Sequence, residues 1–459
     1  MRIRNLIMVI LLSVVMQTTT AAMPLSSNKY TCDFTYSSSS VTIDGNHNYG
    51  DEFQPGDVIC ITGGTKSKIL IKDVRPDCSS TNHCNELQSG STTLRDAAIA
   101  NPVLIVNTSG KVTVTGGTYR AIEIKNARYF KMLGDGDTTI QYGFKCSGAW
   151  NRCVATDYGA NNYELAYFEI RDTTAIGLTA YTKTKCSGKE DYDHDGDGSD
   201  DPVWPIEDGG ANGFLLENIT FHDFLSRNHG TEGFYIGHNR TQIASAGQGG
   251  DTGFCTAHNT NPRTHNVEVY NLDMDGCGKD CLNVKGVASG ACYLHHNIIK
   301  NDAGLADSEQ QGAISLHMET QCDVYNNIIK GGGNAIYSHD NGGGNYYNNI
   351  IYDSGYVYAS SNQDGCGISI GGGLTNEYAT NLFKVWNNTI VNSNGCGIRF
   401  RYNYNSGSHQ IYNNIISGNG FGNIDSSGAA FKGASTIRAL SEPSDTPSRD
   451  RIVPLMTSR

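Results

Sequence analysis

The chain has 459 residues, 54 of them glycine and 38% hydrophobic, a composition rich in turn formers yet sufficient for a long thin core. Its formal charge of −12 at pH 7 argues against a nucleic-acid partner, and beyond the N-terminus no stretch is apolar enough to span a membrane.

Residues 1–22 carry Arg2 and Arg4, then the apolar run Leu6 to Met16, then Thr20-Ala21-Ala22, the pattern of a cleaved secretory signal. The run of 11 residues is short of the roughly 20 that a transmembrane helix needs. Removing the segment takes two basic residues and no acidic ones, so the charge moves from −12 to −14. The expected product is extracellular, and its 14 cysteines are then read as disulfides.

From Tyr30 to about Ile140 short alternating segments follow one another: Val41–Ile43, Val58–Ile61, Ile69–Ile71, Val103–Ile105, Val112–Val114, Ile122–Ile124 and Phe130–Met132. Another strand runs from Leu165 to Ile170, and a polar excursion from Cys186 to Gly210 interrupts the pattern. Within it Asp191, Asp193, Asp195 and Asp197, with Gly196 at the tight turn, have the D-x-D-x-D-G spacing that wraps oxygen ligands around Ca²⁺. Pro202 stands where an EF-hand has its bidentate Glu, so any Ca²⁺ here is expected to be structural.

Between Asn266 and Ser417 one phrase keeps returning: Tyr-Asn-Asn-Ile at 325–328, 347–350 and 412–415, with variants at 269–272, 295–298 and 386–389. Its last Asn recurs as Asn271, Asn297, Asn327, Asn349, Asn388 and Asn414, in steps of 26, 30, 22, 39 and 26 residues. Between the phrases lie strictly alternating segments: Phe234–Ile236, Leu282–Val284, Ile314–Leu316, Ile336–Ser338, Ile368–Ile370 and Ile398–Phe400. Period-2 patterning marks half-buried strands, helical patterning is nearly absent, and no single unit can bury its own apolar face. An all-β solenoid, a parallel β-helix forming one domain over 23–430, is therefore expected, with 431–459 as a disordered tail. The recurrent Asn is expected to form an inward ladder that begins at Asn218.

The repeat also aligns cysteines. Cys292 and Cys322 each precede their ladder Asn by five residues, and Cys366 and Cys396 each precede an alternating strand by two. Stacked turns lie about 4.8 Å apart, so both pairs are within disulfide reach. Cys78 with Cys84 and Cys146 with Cys153 are candidates for local loops, whereas Cys32, Cys60, Cys186, Cys255, Cys277 and Cys281 have no assigned partner.

With the apolar residues inward, the intervening ones form outward columns: Gly237, Lys285, His317, His339, Gly371, Arg401, and beside it Tyr235, Asn283, Ser315, Tyr337, Ser369, Arg399. Tyr235, His317, Tyr337, His339, Arg399 and Arg401 are read as the walls of a groove for a linear polyanion such as a uronic-acid polysaccharide. Small residues (Gly233, Cys281, Ala313, Ala335, Gly367, Gly397) precede each strand and are expected to keep that flank flat. Glu232 and Asp280 occupy matching places on neighbouring turns, and two carboxylates roughly 5 Å apart suit cation binding or acid–nucleophile chemistry.

These repeats, together with Gly-Thr-Glu-Gly-Phe-Tyr-Ile-Gly at 230–237, resemble the secreted right-handed parallel β-helix proteins of the pectate-lyase-like superfamily. In the lyases of that group, carboxylate-bound Ca²⁺ neutralises a uronate and a Lys or Arg removes the α proton. The resemblance implies Lys285 as the base and Asp273 and Asp275 as Ca²⁺ ligands near it. Of the Asn-Thr-Asp, Asp-Asp, Gly-His-Gly and Arg-Ile-Lys motifs of polygalacturonases only a bare Asp-Asp occurs, Asp200-Asp201 in the polar excursion, without the other three. A monomeric polysaccharide lyase is therefore favoured over a glycan-binding solenoid or a glycoside hydrolase.

Overall fold

The computed structural model describes residues 28–45, 53–77, 92–115, 117, 119–148, 150–157, 160–180, 214–237, 263–287, 289–305, 312–317, 320–338, 343–356, 365–371, 382–400 and 409–425. The expected signal at 1–22, the Asp191–Asp197 loop, Cys78 with Cys84, and the tail at 431–459 lie outside them. Among the described residues no helix is long and apolar enough to cross a membrane.

The chain winds as a right-handed parallel β-helix. Among the described residues one sheet has 12 strands, one from each turn, from Ser40–Asp44 through Leu282–Lys285 to Ile424–Asp425. The other has 18 strands among the described residues and turns a corner. Early turns cross that corner as single long strands, Asn161–Thr173, Phe214–His229 and Arg263–Cys277; later turns break into two short ones, such as Ser289–His295 and Ile298–Lys300. A nine-residue helix, Thr92–Ala100, is the only α-helix among the described residues.

The core runs between the sheets as a continuous file of Ile, Val, Leu and Phe. Phe144, Phe168 and Phe224 stack from turn to turn with centroids 5.1 Å apart, and Phe234 meets Phe224 edge-on at 5.0 Å. In the 18-strand sheet the inward residues are buried and the outward ones are open, as in Ile350–Tyr352 and Ile415–Ser417.

The repeated Tyr-Asn-Asn-Ile resolves into four jobs. The Tyr points outward and stacks, Tyr325 on Tyr347 at 4.9 Å. The first Asn turns the corner in the left-handed region, with φ of 55° at Asn326, 56° at Asn348 and 55° at Asn413. Asn tolerates that conformation better than other side chains, which otherwise lose roughly 1–2 kcal/mol there. The second Asn is buried, and each amide donates to the next: Asn297 to Asn327 (3.0 Å), Asn327 to Asn349 (3.0 Å), Asn349 to Asn388 (2.9 Å) and Asn388 to Asn414 (3.0 Å). The Ile opens the next strand.

Asn271 and Asn218 stand outside this ladder, contrary to the expectation. The residue level with Asn297 is Leu272, whose N–H donates to Asn297 Oδ1 at 3.0 Å. Where a long strand crosses the corner, that position is apolar, and Asn271 takes the exposed left-handed place with φ of 54°. Asn218 belongs to a second, exposed row, receiving from Asn266 and donating to Asn162, both at 2.7 Å.

Disulfides join Cys292 to Cys322 and Cys366 to Cys396 across neighbouring turns, with Cα atoms 4.6 and 4.4 Å apart. Cys146–Cys153, Cys32–Cys60 and Cys277–Cys281 are also bonded. The small residues before each strand point inward, not along a flat flank. A Cβ on Gly233 would meet Met274 Cε at 2.4 Å, on Gly367 Ile390 Cγ2 at 2.4 Å, and on Gly397 Ile416 Cγ2 at 2.3 Å. They let the two sheets converge at one edge of the core, and the Cys277–Cys281 bridge lies at the same place.

Candidate functional site

The outward side of the 12-strand sheet carries one column in unbroken register: Thr179, Tyr235, Asn283, Ser315, Tyr337, Ser369, Arg399 and Asp425. The adjacent column pairs Gly237 with Lys285 and Lys285 with His317. Gly371 follows further on, donating its N–H to the Ser338 carbonyl at 2.9 Å. His339 and Arg401, expected to continue it, lie outside the described residues. The sequence reading began the first column at Tyr235 and missed Thr179, although the Leu178-Thr179-Ala180 alternation precedes the polar excursion and signals one earlier turn.

These columns are sheltered, unlike the open groove the alternation suggested. Asn283, Ser315 and Ser369 are 0% exposed, and Lys285 and His317 are each 6% exposed. The long side chains lie along the sheet over their neighbours. Lys285 Nζ sits 4.8 Å from the centre of the Tyr235 ring, and His317 meets the Tyr337 ring edge-on at 6.1 Å. Alternation alone separates inward from outward, and it carries no information on what covers the outward side.

Several polar atoms on this face are buried without a hydrogen-bond partner among the described residues: Thr179 Oγ1, Asn283 Oδ1 and Ser369 Oγ. A buried polar atom left unpaired costs roughly 1–3 kcal/mol. All three stand in one register column of the 12-strand sheet. Arg399 closes the row in an ion pair, its Nε 3.3 Å from Asp425 Oδ2.

Glu232 and Asp280 do occupy neighbouring turns, since the Glu232 carbonyl accepts from Gly177 N–H and the Asp280 carbonyl from Gly233 N–H. The Asp280 carboxylate is engaged within its own surroundings. Asp280 is 0% exposed, and its carboxylate is saturated. Gly312 N–H and Ser315 Oγ donate to Oδ1 at 2.8 and 2.6 Å, and Asn283 Nδ2 donates to Oδ2 at 2.7 Å. A carboxylate so held binds its own loop. His317 also approaches it, with Nε2 3.9 Å from Oδ2.

Asp273 and Asp275 are not beside Lys285. They belong to the strand Arg263–Cys277 of the 18-strand sheet, whereas Lys285 lies on the 12-strand sheet. Asp273 Oδ2 pairs with Arg227 at 2.6 Å, Asp275 accepts from Asn301 at 2.8 Å, and Lys300 is the register neighbour of Asp275. With cations occupying the same face, these two residues do not fit a Ca²⁺ centre. The error is one of sheet: the break after Cys277 swings the chain to the other wall before Leu282. No group of three metal-ligating side chains occurs among the described residues.

Asp302 went unnoticed in the sequence. It is buried in the corner, with Oδ2 accepting from Gly333 N–H at 3.1 Å and Oδ1 unpartnered among the described residues. Burial pushes its carboxyl well above the usual range, and the nearby Asp280 charge adds to the effect. On the other sheet burial disfavours the His222 imidazolium, but Asp223 and Glu164, at 2.7 and 3.0 Å, outweigh it and raise the ring to about 9.

Fold and face together define a parallel β-helix with a sheltered polar and cationic column along one wall. No family model and no curated protein matches the sequence. Among solved structures the chain is similar to a GH136 lacto-N-biosidase from Eubacterium ramulus, with 10% identity, coverage of 87% of this chain and 68% of that one, and a TM-score of 0.49. It is similar also to an alginate lyase from a Paenibacillus strain (12% identity, 86% and 99% coverage, TM-score 0.41). The pectate lyase Pel9A follows (10% identity, 88% and 80% coverage, TM-score 0.32). At these identities the likeness is one of fold alone.

Proposed function

We propose that the chain is a secreted polysaccharide lyase that cleaves a uronate-containing polymer by β-elimination on the outer face of the 12-strand sheet, with Lys285 as the base. The observation that supports this most is the column itself: Lys285, His317 and Arg399 face one way from a protein of net charge −12, beside unpaired buried oxygens of Thr179, Asn283 and Ser369. A polymer of repeating carboxylates and hydroxyls matches a row that alternates cations and hydrogen-bonding groups.

In this reading Lys285 Nζ accepts the proton α to the carboxylate, and the ammonium that forms is stabilised by the Tyr235 ring at 4.8 Å. Tyr235 thus acts beneath Lys285. Arg399 lies four turns further along, roughly 19 Å at 4.8 Å per turn, and grips the chain remote from the reacting sugar. His339 and Arg401, from their spacing, extend the grip. The Asp191, Asp193, Asp195 and Asp197 spacing would hold Ca²⁺ as a structural ion. The protein acts as a monomer.

The test is absorbance of an unsaturated uronate when the protein meets alginate, pectate or a glucuronate polymer, with Ca²⁺ and with chelator. Appearance of the band supports the lyase. Salt-sensitive binding to several polymers with no band from any of them replaces it with a glycan-binding solenoid. New reducing ends without the band point to hydrolysis, for which Asp280, saturated and buried, is a poor acid.

A further inference from the structure

The β-elimination reading leaves one partnership unused. His317 is the register neighbour of Lys285 on the next turn, so the two side chains leave the same face of the same sheet about 4.8 Å apart. Behind His317 lies the buried Asp280 carboxylate, with Oδ2 3.9 Å from Nε2 and with three donors fixing its position. That carboxylate is placed to act as counter-ion to an imidazolium, while Lys285 has its own support in the Tyr235 ring.

Resting on the lyase reading above, we infer that His317 is the acid of the reaction, with Asp280 as its positioning residue, and that elimination takes the proton and the leaving group from one face of the sugar. The C5–H proton passes to the neutral Lys285 amine, and the electron pair of that bond becomes the C4=C5 double bond. The C4–O bond breaks with its pair on the glycosidic oxygen, which takes the proton of the His317 imidazolium. Lys285 ends as ammonium and His317 as neutral imidazole, and exchange with water restores both.

Base and acid on one wall reach H5 and O4 together only where these lie on the same side of the ring. D-mannuronate and D-glucuronate have that arrangement. D-galacturonate and L-guluronate have H5 and O4 on opposite sides and would need groups on two walls. The substrate class is therefore a polymer of mannuronate or glucuronate type.

The experiment compares polymannuronate and a glucuronate polymer with polyguluronate and polygalacturonate, and then compares variants on a polymer and on a 4-O-(2,4-dinitrophenyl) glucuronide, whose leaving group needs no acid. Expected are cleavage of the first two polymers, and a 10²- to 10⁴-fold fall in kcat for His317→Gln on the polymer with less than about fivefold on the activated substrate. Lys285→Ala falls on both, and added imidazole restores part of the polymer turnover of His317→Ala. Cleavage confined to the galacturonate or guluronate polymers overturns the inference and leaves the lyase standing. So does a loss that persists on the activated substrate for His317→Gln and that imidazole does not recover for His317→Ala. Absence of the unsaturated product from every uronate overturns the lyase reading itself, and this inference with it.

Discussion

The two walls of the solenoid handle the same geometric opportunity, one residue above another every turn, in opposite ways. On the outer side of the 18-strand sheet the column is nearly uniform. His222, Tyr270, His295, Tyr325, Tyr347, Trp386 and Tyr412 stack with centroids 4.6, 5.2, 4.7, 4.9, 4.5 and 5.8 Å apart and planes within 17° of parallel. Their flat faces are used on one another, and only edges meet solvent. On the 12-strand sheet the column changes type at almost every turn (Thr179, Tyr235, Asn283, Ser315, Tyr337, Ser369, Arg399), so no ladder forms and polar atoms are left over. Like stacked on like is how a solenoid holds its turns. A register column that declines to repeat is where it has groups to spare for something else.

The sharpest way to break this contrast is to cut each wall once. Lys285→Ala should lower kcat by 10²- to 10⁴-fold with polymer binding mostly intact, since a base acts in the transition state, and with little change in Tm. Trp386→Ala should do the reverse, losing two stacking contacts of about 0.5–1.5 kcal/mol each and leaving kcat unchanged. Paired kinetic and thermal measurements in which Trp386→Ala loses turnover would mean the aromatic wall is itself the site.

Next in size is the inward ladder. Asn349→Ala removes an acceptor used by both the N–H and the amide of Asn327, and a donor to Asn388 and to the Val324 carbonyl. Buried groups left unpaired cost roughly 1–3 kcal/mol apiece, so a loss near 3 kcal/mol in denaturant unfolding is expected. A loss under 1 kcal/mol would show that water or relaxation replaces the ladder.

Stability should also vary with pH in two separable windows. The Asp302 carboxyl binds its proton more tightly folded than unfolded, so its contribution falls as pH rises above the ordinary carboxylate value of about 3.9. Asp302→Asn should then be more stable than wild type at neutral pH. His222, raised to about 9, contributes fully below its ordinary value near 6.5 and loses that contribution as pH passes through about 9. His222→Gln should flatten the Tm profile from pH 7 to 10 and leave the acid side unchanged. Superposable profiles for wild type and both variants would refute these assignments.

The smallest effect is at the corner. Asn348, with φ of 56°, should accept Gly with little loss and Ala at a cost of about 1 kcal/mol. Equal Tm values for the two variants would mean that the corner relaxes.

Much of this was legible because a solenoid converts sequence period into spatial neighbourhood. Counting from the ladder Asn paired Cys292 with Cys322, and counting from the strand start paired Cys366 with Cys396, since residues at equal offsets in successive repeats are stacked. The same count placed Tyr235, Asn283, Ser315, Tyr337, Ser369 and Arg399 in one file. It failed where sequence proximity was taken for spatial proximity. Asp273 and Asp275 are only 12 and 10 residues before Lys285, but a turn of the helix puts them on another wall.

By itself, then, the sequence determined the parallel β-helix, its register over the later turns, and the column from Tyr235 to Arg399, because alternation and repeat length constrain each strand locally. Tertiary structure alone decided which side of each small residue faces Met274, Ile390 or Ile416, and that the outward column is sheltered. It alone set the Asp280 carboxylate close to His317 and raised the Asp302 carboxyl well above its usual range by burial. These are relations between turns, set by how closely two walls approach and how many donors reach one oxygen. A linear pattern records which residues are stacked, and not how far apart the walls stand.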